Sequence, residues 1–270
     1  MNGVLKETKK HFRIFFIFMK NCLIGQLEYR ANFITGLLME LGYLFAKMLY
    51  IIVLFKAGAS INGLSPDEVL VFVGTYVIIT GFFAGLVMMN FYSMGEHIRN
   101  GTLDFYITKP VSLQFMLTLR HSDVSILLTD VIAGAIMVGI GLSRLVRPID
   151  LLSMGGYVGY MFSGTIVGYA LFFIPQLLSF KVVKTEALNG IMDSLWDFNN
   201  MPMGIYGKAI QRVGVFIIPI FLVTNLPAMF LLGRMDTTYA VWGILAPFIF
   251  MALTKLLWNK AVRHYSSASS

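Results

Sequence analysis

Residues 93–114 read SMGEHIRNGTLDFYITKPVSLQ, and this polar island separates two long apolar stretches of the chain. Its charged and titratable side chains crowd a short amphipathic segment that Pro110 closes; they are Glu96, His97, Arg99, Asp104 and Lys109. Unpaired polar groups are too costly to remain in a lipid bilayer. The island therefore lies in water or against a partner protein.

The composition of the 270-residue chain is that of an integral membrane protein. Hydrophobic residues make up 57% of it and charged residues 13%, with a mean hydropathy of +0.75. A soluble domain has about twice that charged fraction. Apolar stretches of about 20 residues, each long enough to cross a hydrocarbon core of ~30 Å as a helix, recur along the sequence. We therefore predict an all-α integral membrane protein with a single transmembrane domain over residues 1–270.

Six transmembrane helices are predicted, near residues 31–55, 67–90, 117–142, 154–180, 213–232 and 238–257. Residues 1–30 place apolar side chains at helical spacing opposite a basic face, which predicts an amphipathic helix in the headgroup plane rather than an ordinary solvated helix. Residues 91–116 form a loop between the second and third spans. Residues 181–212 mix acidic and aromatic side chains, and are predicted as a cytoplasmic or interfacial segment, with a partly re-entrant helix as the alternative.

The basic residues indicate the orientation of these spans. Most of the 21 Lys and Arg residues fall on the side that holds both termini and the polar island. The positive-inside rule then places the N-terminus, the C-terminus and residues 91–116 in the cytoplasm. Because the charge is spread over several loops, it favours anionic lipid headgroups as partners and argues against nucleic acid.

Catalytic and metal-binding patterns are weak in this sequence. The four histidines are scattered and no HExxH motif is present. The segment GIYGK at 204–208 resembles the end of a phosphate-binding loop, but Ala209 stands where Ser or Thr would hold magnesium. We therefore expect no cofactor or metal bound by this chain and no enzymatic activity of its own.

Three ionisable residues fall within predicted spans and form a candidate intramembrane polar seam: Glu40, Lys47 and Asp130. Such residues commonly line a substrate path or pair between helices, and Lys47 with Asp130 is one such pair. The alternative is that Lys47 extends its ammonium group outward and the acids are satisfied by neighbouring hydroxyl groups or water.

Two blocks of the sequence resemble the ABC-2 type permeases of bacteria. The first, GEHIRNGTLDFYITKPVSLQF, is similar to the first cytoplasmic loop of that family at Ile98, Gly101, Leu103, Asp104, Lys109 and Pro110, although Ile107 stands where leucine is common. The second, FNNMPMGIYGKAIQRVGVFIIPIFLVTNLPAMFLLG, is similar at Pro202, Tyr206, Pro219, Leu226, Pro227, Leu232 and Gly233, with Met201 in place of the usual aromatic residue. The C-terminal WNKAVRHYSSASS also resembles the family ending.

The resemblance implies a specific architecture. It implies a type V exporter-like domain of six transmembrane helices with an N-terminal interfacial connecting helix, located in the bacterial cytoplasmic membrane. Its implied partners are a second permease, identical or homologous, and two copies of a separate ABC ATPase that holds ATP and Mg. The implied ATPase-coupling residues are Glu96, His97, Ile98, Arg99, Gly101, Leu103, Asp104, Lys109 and Pro110. Among them Ile98 and Leu103, together with Phe105, are expected as apolar anchors on the ATPase.

The function that follows from this resemblance is the permease subunit of an ATP-driven exporter. Its substrate would be a hydrophobic or amphipathic compound of the lipid, peptide or antibiotic class. The alternative is an ATP-independent secondary carrier, in which Glu40, Lys47 and Asp130 relay ions, or a structural subunit of another membrane complex.

Overall fold

The computed structural model describes residues 2–58, 60–145, 150–182, 186–263 and 265. Across these residues the chain is helical, apart from turns and one isolated bridge between Ile61 and Leu64. The helices are α1 (Asn2–Glu28), α2 (Arg30–Ala57), α3 (Pro66–Phe83), α4 (Met89–Arg99), α5 (Leu103–Ile107), α6 (Leu113–Leu119), α7 (Val124–Arg144), α8 (Leu151–Gln176), α9 (Glu186–Asp197), α10 (Lys208–Arg212), α11 (Phe221–Leu231) and α12 (Thr237–Val262).

Five helical stretches are long and apolar enough to cross a membrane, and a sixth candidate is a bent pair. The five are α2, α3 continued through α4, α7, α8 with the 3₁₀ turn Leu177–Phe180, and α12. The bent pair joins the stretch Lys208–Ile217 to α11 at an angle of 104°. The prediction of an all-α membrane fold is therefore confirmed.

The centre of the bundle is the pair α3 and α7, which pack backbone to backbone through glycine. A Cβ atom on Gly74 would lie 2.8 Å from the carbonyl oxygen of Gly134, closer than real Cβ atoms approach. Gly81 of α3 and Gly141 of α7 also lie closely against the partner helix, and Gly85, in the turn after α3, lies against the start of α7. Small residues allow such contacts in lipid, where hydrophobicity cannot distinguish one apolar neighbour from another.

A second layer is built on α8. Gly164 of α8 lies directly against the backbone of Val223 in α11, and Gly243 of α12 faces the ring of Tyr160. Ser163 of α8 donates a hydrogen bond to the carbonyl oxygen of Gly243. The bundle therefore consists of α3 and α7 packed beside α8, α11 and α12, while α2 lies at one edge.

One end of the bundle is closed by the two turns that precede α3 and α12, and we call it the loop end. Ser65 and Glu68 form a capping box at the start of α3. Arg234 donates to both carboxylate oxygens of Glu68, at 2.7 and 2.8 Å, and to the carbonyl oxygen of Gly63 at 3.0 Å. The polar island lies at the opposite end, which we call the island end.

The third predicted span, 117–142, differs from the structure. The chain leaves the helix at Arg120 and starts α7 at Val124, with Asp123 as the N-cap. Backbone groups in this break have partners elsewhere in the chain. The backbone N–H of Asp123 donates to the carbonyl oxygen of Gly85 at 2.7 Å, and the backbone N–H of His121 donates to Asn90 Oδ1 at 2.9 Å. The π-helical turn Ala84–Met88, between α3 and α4, contributes that free carbonyl.

The fifth predicted span, 213–232, also differs from the structure. The bend falls at residues 218–220, where Pro219 lacks the N–H that a continuous helix needs. α11 then runs along α8 to the loop end, where Arg234 follows it.

Residues 181–212 do not stay at the island end as one segment. α9 leaves the island end, Asn199 meets Thr224 inside the bundle, and Gly204 packs against Asn62 at the loop end. The segment thus passes along the bundle, and the bent pair enters and leaves from the loop end. Residues 181–212 therefore connect the island end to the loop end.

The N-terminal helix α1 forms as predicted and is separated from α2 only by Tyr29. It packs along α6, where Phe18 stacks on Phe115 with ring centroids 6.0 Å apart. The apolar side chains Phe12 and Phe16 are more than half exposed, as a face in contact with lipid would be.

Candidate coupling surface and intramembrane polar residues

The polar island folds as a helix, a glycine turn and a second short helix. α4 ends at Arg99, and α5 begins at Leu103. Gly101, in the turn between them, has a φ of +68°, a conformation that disfavours any side chain. The glycine in the predicted motif is therefore required by the reversal of the chain.

The interior of the island is held by buried side chains. Leu103 is 0% exposed and Tyr106 is 6% exposed. His97 Nδ1 lies 2.9 Å from Thr102 Oγ1, which closes the turn, and the guanidinium group of Arg120 lies 4.8 Å from the centroid of the Tyr106 ring. Leu103, expected as an anchor on the ATPase, therefore points into the protein and fixes the island to the bundle.

The outer surface of the island combines charge with exposed apolar groups. Glu96, Arg99 and Lys109 are exposed, and Pro110 lies beside Lys109 at the surface. Phe105 is 68% exposed and Ile107 is 50% exposed. His97, Ile98 and Asp104 are half-buried. Of the expected apolar anchors, Phe105 is exposed and Ile98 is half-buried. Ile107 is also exposed, although sequence reasoning did not identify it as a contact residue.

The island is tied to both ends of the chain. Lys10 of α1 donates to the carbonyl oxygen of Pro110 at 2.5 Å. Tyr265 donates to Asp104 Oδ1 at 2.9 Å. A movement of the island would therefore pull on α1 and on the segment that follows α12.

Lys47 of the predicted polar seam binds the chain segment that follows α9. Its ammonium group donates to Asn200 Oδ1 at 2.5 Å and lies 4.8 Å from the centroid of the Tyr76 ring and 5.1 Å from that of Tyr43. Among the described residues, no ion pair joins Lys47 to Asp130. Lys47 thus uses an amide and two aromatic rings as partners.

The two acidic residues of the seam lie near each other. Asp130 of α7 is 1% exposed and lies against Gly81 of α3, and Glu40 of α2 is its electrostatic neighbour. Among the described residues, Asp130 Oδ1 has no hydrogen-bond partner. The structure therefore places Glu40 near Asp130, while Lys47 binds Asn200.

A buried polar cluster joins the bent pair to the segment after α9. Thr224 donates to Asn199 Oδ1 at 3.0 Å, and the backbone N–H of Met203 donates to Asn225 Oδ1 at 2.6 Å. Asn199, Thr224 and Asn225 are each at most 1% exposed. Sequence reasoning did not assign them a role; the signal was the run Asn199–Asn200 next to aromatic residues.

No metal centre is formed by the residues that the structure describes, since no three His, Cys, Asp or Glu side chains among them converge. The segment 204–208 begins in a 3₁₀ turn that packs on Asn62 and does not form a phosphate-binding loop.

Comparison with known proteins gives one match. A family model described as ABC-2 family transporter protein matches residues 41–269. No curated protein and no solved structure matches the chain. The matched range includes the polar island, α7, α8, the bent pair and α12, and it begins within α2.

Proposed function

This chain belongs to the ABC-2 family of transporter proteins, and from that premise we propose that it is the permease subunit of an ATP-driven exporter. In this proposal a separate ABC ATPase, present in two copies, binds ATP and Mg and drives the transport. The permease pairs with a second permease, identical or homologous, in the bacterial cytoplasmic membrane. The substrate is a hydrophobic or amphipathic compound that moves outward.

The observation that carries the proposal is the outer surface of the polar island. Phe105 and Ile107 expose apolar side chains beside the charges of Glu96, Arg99 and Lys109. An apolar centre with a charged rim is the usual composition of a protein docking surface. A groove on an ATPase would cover the exposed side chains of Phe105 and Ile107.

The frame behind this surface suits the transfer of force. Leu103 and Tyr106 fix α5 to the bundle, and α4 continues through the π-helical turn into α3, the most buried span. A displacement of the island by the ATPase would therefore reach α3 and its partner α7 directly. The bonds of Lys10 and Tyr265 would carry the same displacement to α1 and to the chain end after α12.

The test is co-purification of an ATPase from the native host in mild detergent. The exchange Glu96→Lys with Arg99→Glu keeps the net charge and reverses the rim, so it should remove the ATPase from the preparation. Lys56→Glu, which reverses an exposed charge at the loop end of the bundle, is the control for position and should retain the ATPase. A chain that purifies without any ATPase in all three forms would overturn the proposal.

The neighbouring acids of the seam support a second candidate function, an ATP-independent proton carrier. Asp130 of α7 is buried and Glu40 of α2 lies near it, and carboxyl groups inside a membrane can bind and release protons during transport. Transport by a carrier would stop when the proton gradient is dissipated and would continue when ATP is depleted. The exporter would show the opposite pattern in the same cells.

A further inference from the structure

A cavity of about 620 Å³ lies between α1, α2, the π-helical turn and the start of α7. This volume is within the range of small-molecule sites. Its apolar wall includes Phe33, Leu37, Met88 and Ile126. Tyr29 and Met89, which are 66% and 63% exposed, mark its mouth. The shape is that of a site for a molecule with a hydrocarbon part.

The polar wall of the cavity contains side chains without partners. Ser122 is 7% exposed and lines the cavity, yet its hydroxyl oxygen has no hydrogen-bond partner in the described chain. The same holds for the Gln26 carbonyl oxygen and the Ser125 hydroxyl oxygen. Buried polar atoms nearly always have partners. These three atoms mark polar positions in the wall of the cavity.

The charge of the lining is acidic. Glu40 and Asp123 both line the cavity, and Asp130 interacts with Glu40 from behind. None of the described residues that line the cavity is Lys or Arg. The nearby cation Arg120 is turned toward Tyr106. His121 also lines the cavity, but burial, and after it the charge of Arg120, lowers its pKa, which favours the neutral imidazole.

We propose that this cavity binds an amphiphile that carries a cationic ammonium group. The ammonium group lies against Glu40 and Asp123, where it replaces its hydration by two carboxylates. The hydrocarbon part lies along Phe33, Leu37 and Met88. Glu40 is about 15 Å along α2 from Arg30, so the site extends from the interfacial turn at Tyr29 into the bundle.

The inference rests on the proposed function in that it names the substrate class of the exporter, but binding itself requires only this chain. Cys22 lines the cavity and is the single cysteine of the sequence. It therefore serves as a native reporter, because a bound ligand blocks its reaction with a thiol reagent.

The experiment measures the rate of Cys22 alkylation in the full chain, purified in the uncharged detergent dodecyl maltoside. Dodecyltrimethylammonium should slow the reaction at least fivefold, and dodecanol, which has the same chain and no charge, should not. Glu40→Gln and Asp123→Asn should abolish the protection, expressed for each variant relative to its own alkylation rate without ligand; Asn at position 123 retains the helix cap. Circular dichroism confirms that the variants are folded.

A second arm distinguishes a membrane lipid from a solute as the source of the ammonium group. Protection in nanodiscs of phosphatidylethanolamine, relative to phosphatidylglycerol, and its loss in the variants would support the proposal with a lipid as ligand. Protection by added dodecyltrimethylammonium alone would support it with a solute as ligand. Equal protection by dodecanol, or protection that survives both substitutions, would overturn it. Because no ATPase is present, either result is independent of the co-purification test.

Discussion

The helices α2 and α3 are nearly equal in hydropathy and opposite in environment. The most apolar 18-residue window of α2 has a mean hydropathy of 1.9, and that of α3 with its continuation has 2.2. Of the residues in these windows, 6% are buried in α2 and 78% in α3 with its continuation. The difference lies in the glycines: Gly74 and Gly81 of α3 meet α7 directly, whereas Gly36 and Gly42 of α2 have no other atoms within 4 Å of an added Cβ. Hydropathy thus identifies a span, and small residues in contact identify its neighbour.

The largest expected effect comes from breaking the glycine contact of α3. Gly74→Leu places a side chain against the backbone of Gly134, and overpacking of this kind costs about 3 kcal/mol or more when backbone must move. We expect a large loss of unfolding free energy, measured by titration with a denaturing detergent. Gly42→Leu on α2 is the matched control and should change it by less than about 0.5 kcal/mol. Equal losses in both variants would contradict the comparison.

A smaller effect is expected from loosening α2, which is held by a few polar contacts. Lys47→Met removes the bond to Asn200 and the contact with the Tyr76 ring, and should cost about 1–2 kcal/mol. A double-mutant cycle of Lys47→Met with Asn200→Leu should show a coupling of about 1 kcal/mol, as for polar contacts between membrane helices.

The same cycle tests the pairing expected from the sequence. Lys47→Met combined with Asp130→Asn should be additive, because Asp130 interacts with Glu40 and not with Lys47 among the contacts of the described residues. A coupling energy between Lys47 and Asp130 larger than that between Lys47 and Asn200 would support the Lys47–Asp130 ion pair and contradict the structure.

These residues also show what the sequence could predict. Composition and apolar windows were sufficient for the all-α membrane fold, since lipid leaves the backbone few alternatives. The break at residues 120–123 could not be found in this way, because it depends on a distant partner, the Gly85 carbonyl oxygen. The bend at residues 218–220 has a local signal in Pro219, but a proline alone does not give the angle of the bend. In the island, the positions of the charged residues followed from the sequence. The inward direction of Leu103 did not, because Leu103 and Phe105 are both apolar and the sequence alone does not show which of them is buried.

An effect of about 1 kcal/mol is expected where α3 begins. Arg234→Lys loses the two-pronged contact with Glu68, whose side chain is 12% exposed. Arg144→Lys is the matched control, because Arg144 approaches Asp67 only to 3.9 Å and its side chain is 56% exposed, so its loss should be near zero. Both are measured by the same detergent titration, and equal losses would show that the Glu68 contact has no special weight.

The smallest effect on stability and the sharpest test of the comparison concern the exposed face of α2. Phe45 of α2 and Phe248 of α12 are 62% and 73% exposed, so Phe45→Cys and Phe248→Cys, each made with Cys22→Ser, should change stability by less than about 0.5 kcal/mol. The two helices differ in how much of their most apolar window is buried, 6% in α2 and 22% in α12, so α2 leaves more surface for a second permease to cover. We therefore expect oxidation in native membranes to crosslink Phe45→Cys, and not Phe248→Cys, to a second permease. No crosslinking of Phe45→Cys would mean that α2 faces lipid, and crosslinking of both variants would mean that the contact is not specific to α2. In the first case α2 would differ from α3 only by the absence of contacting glycines.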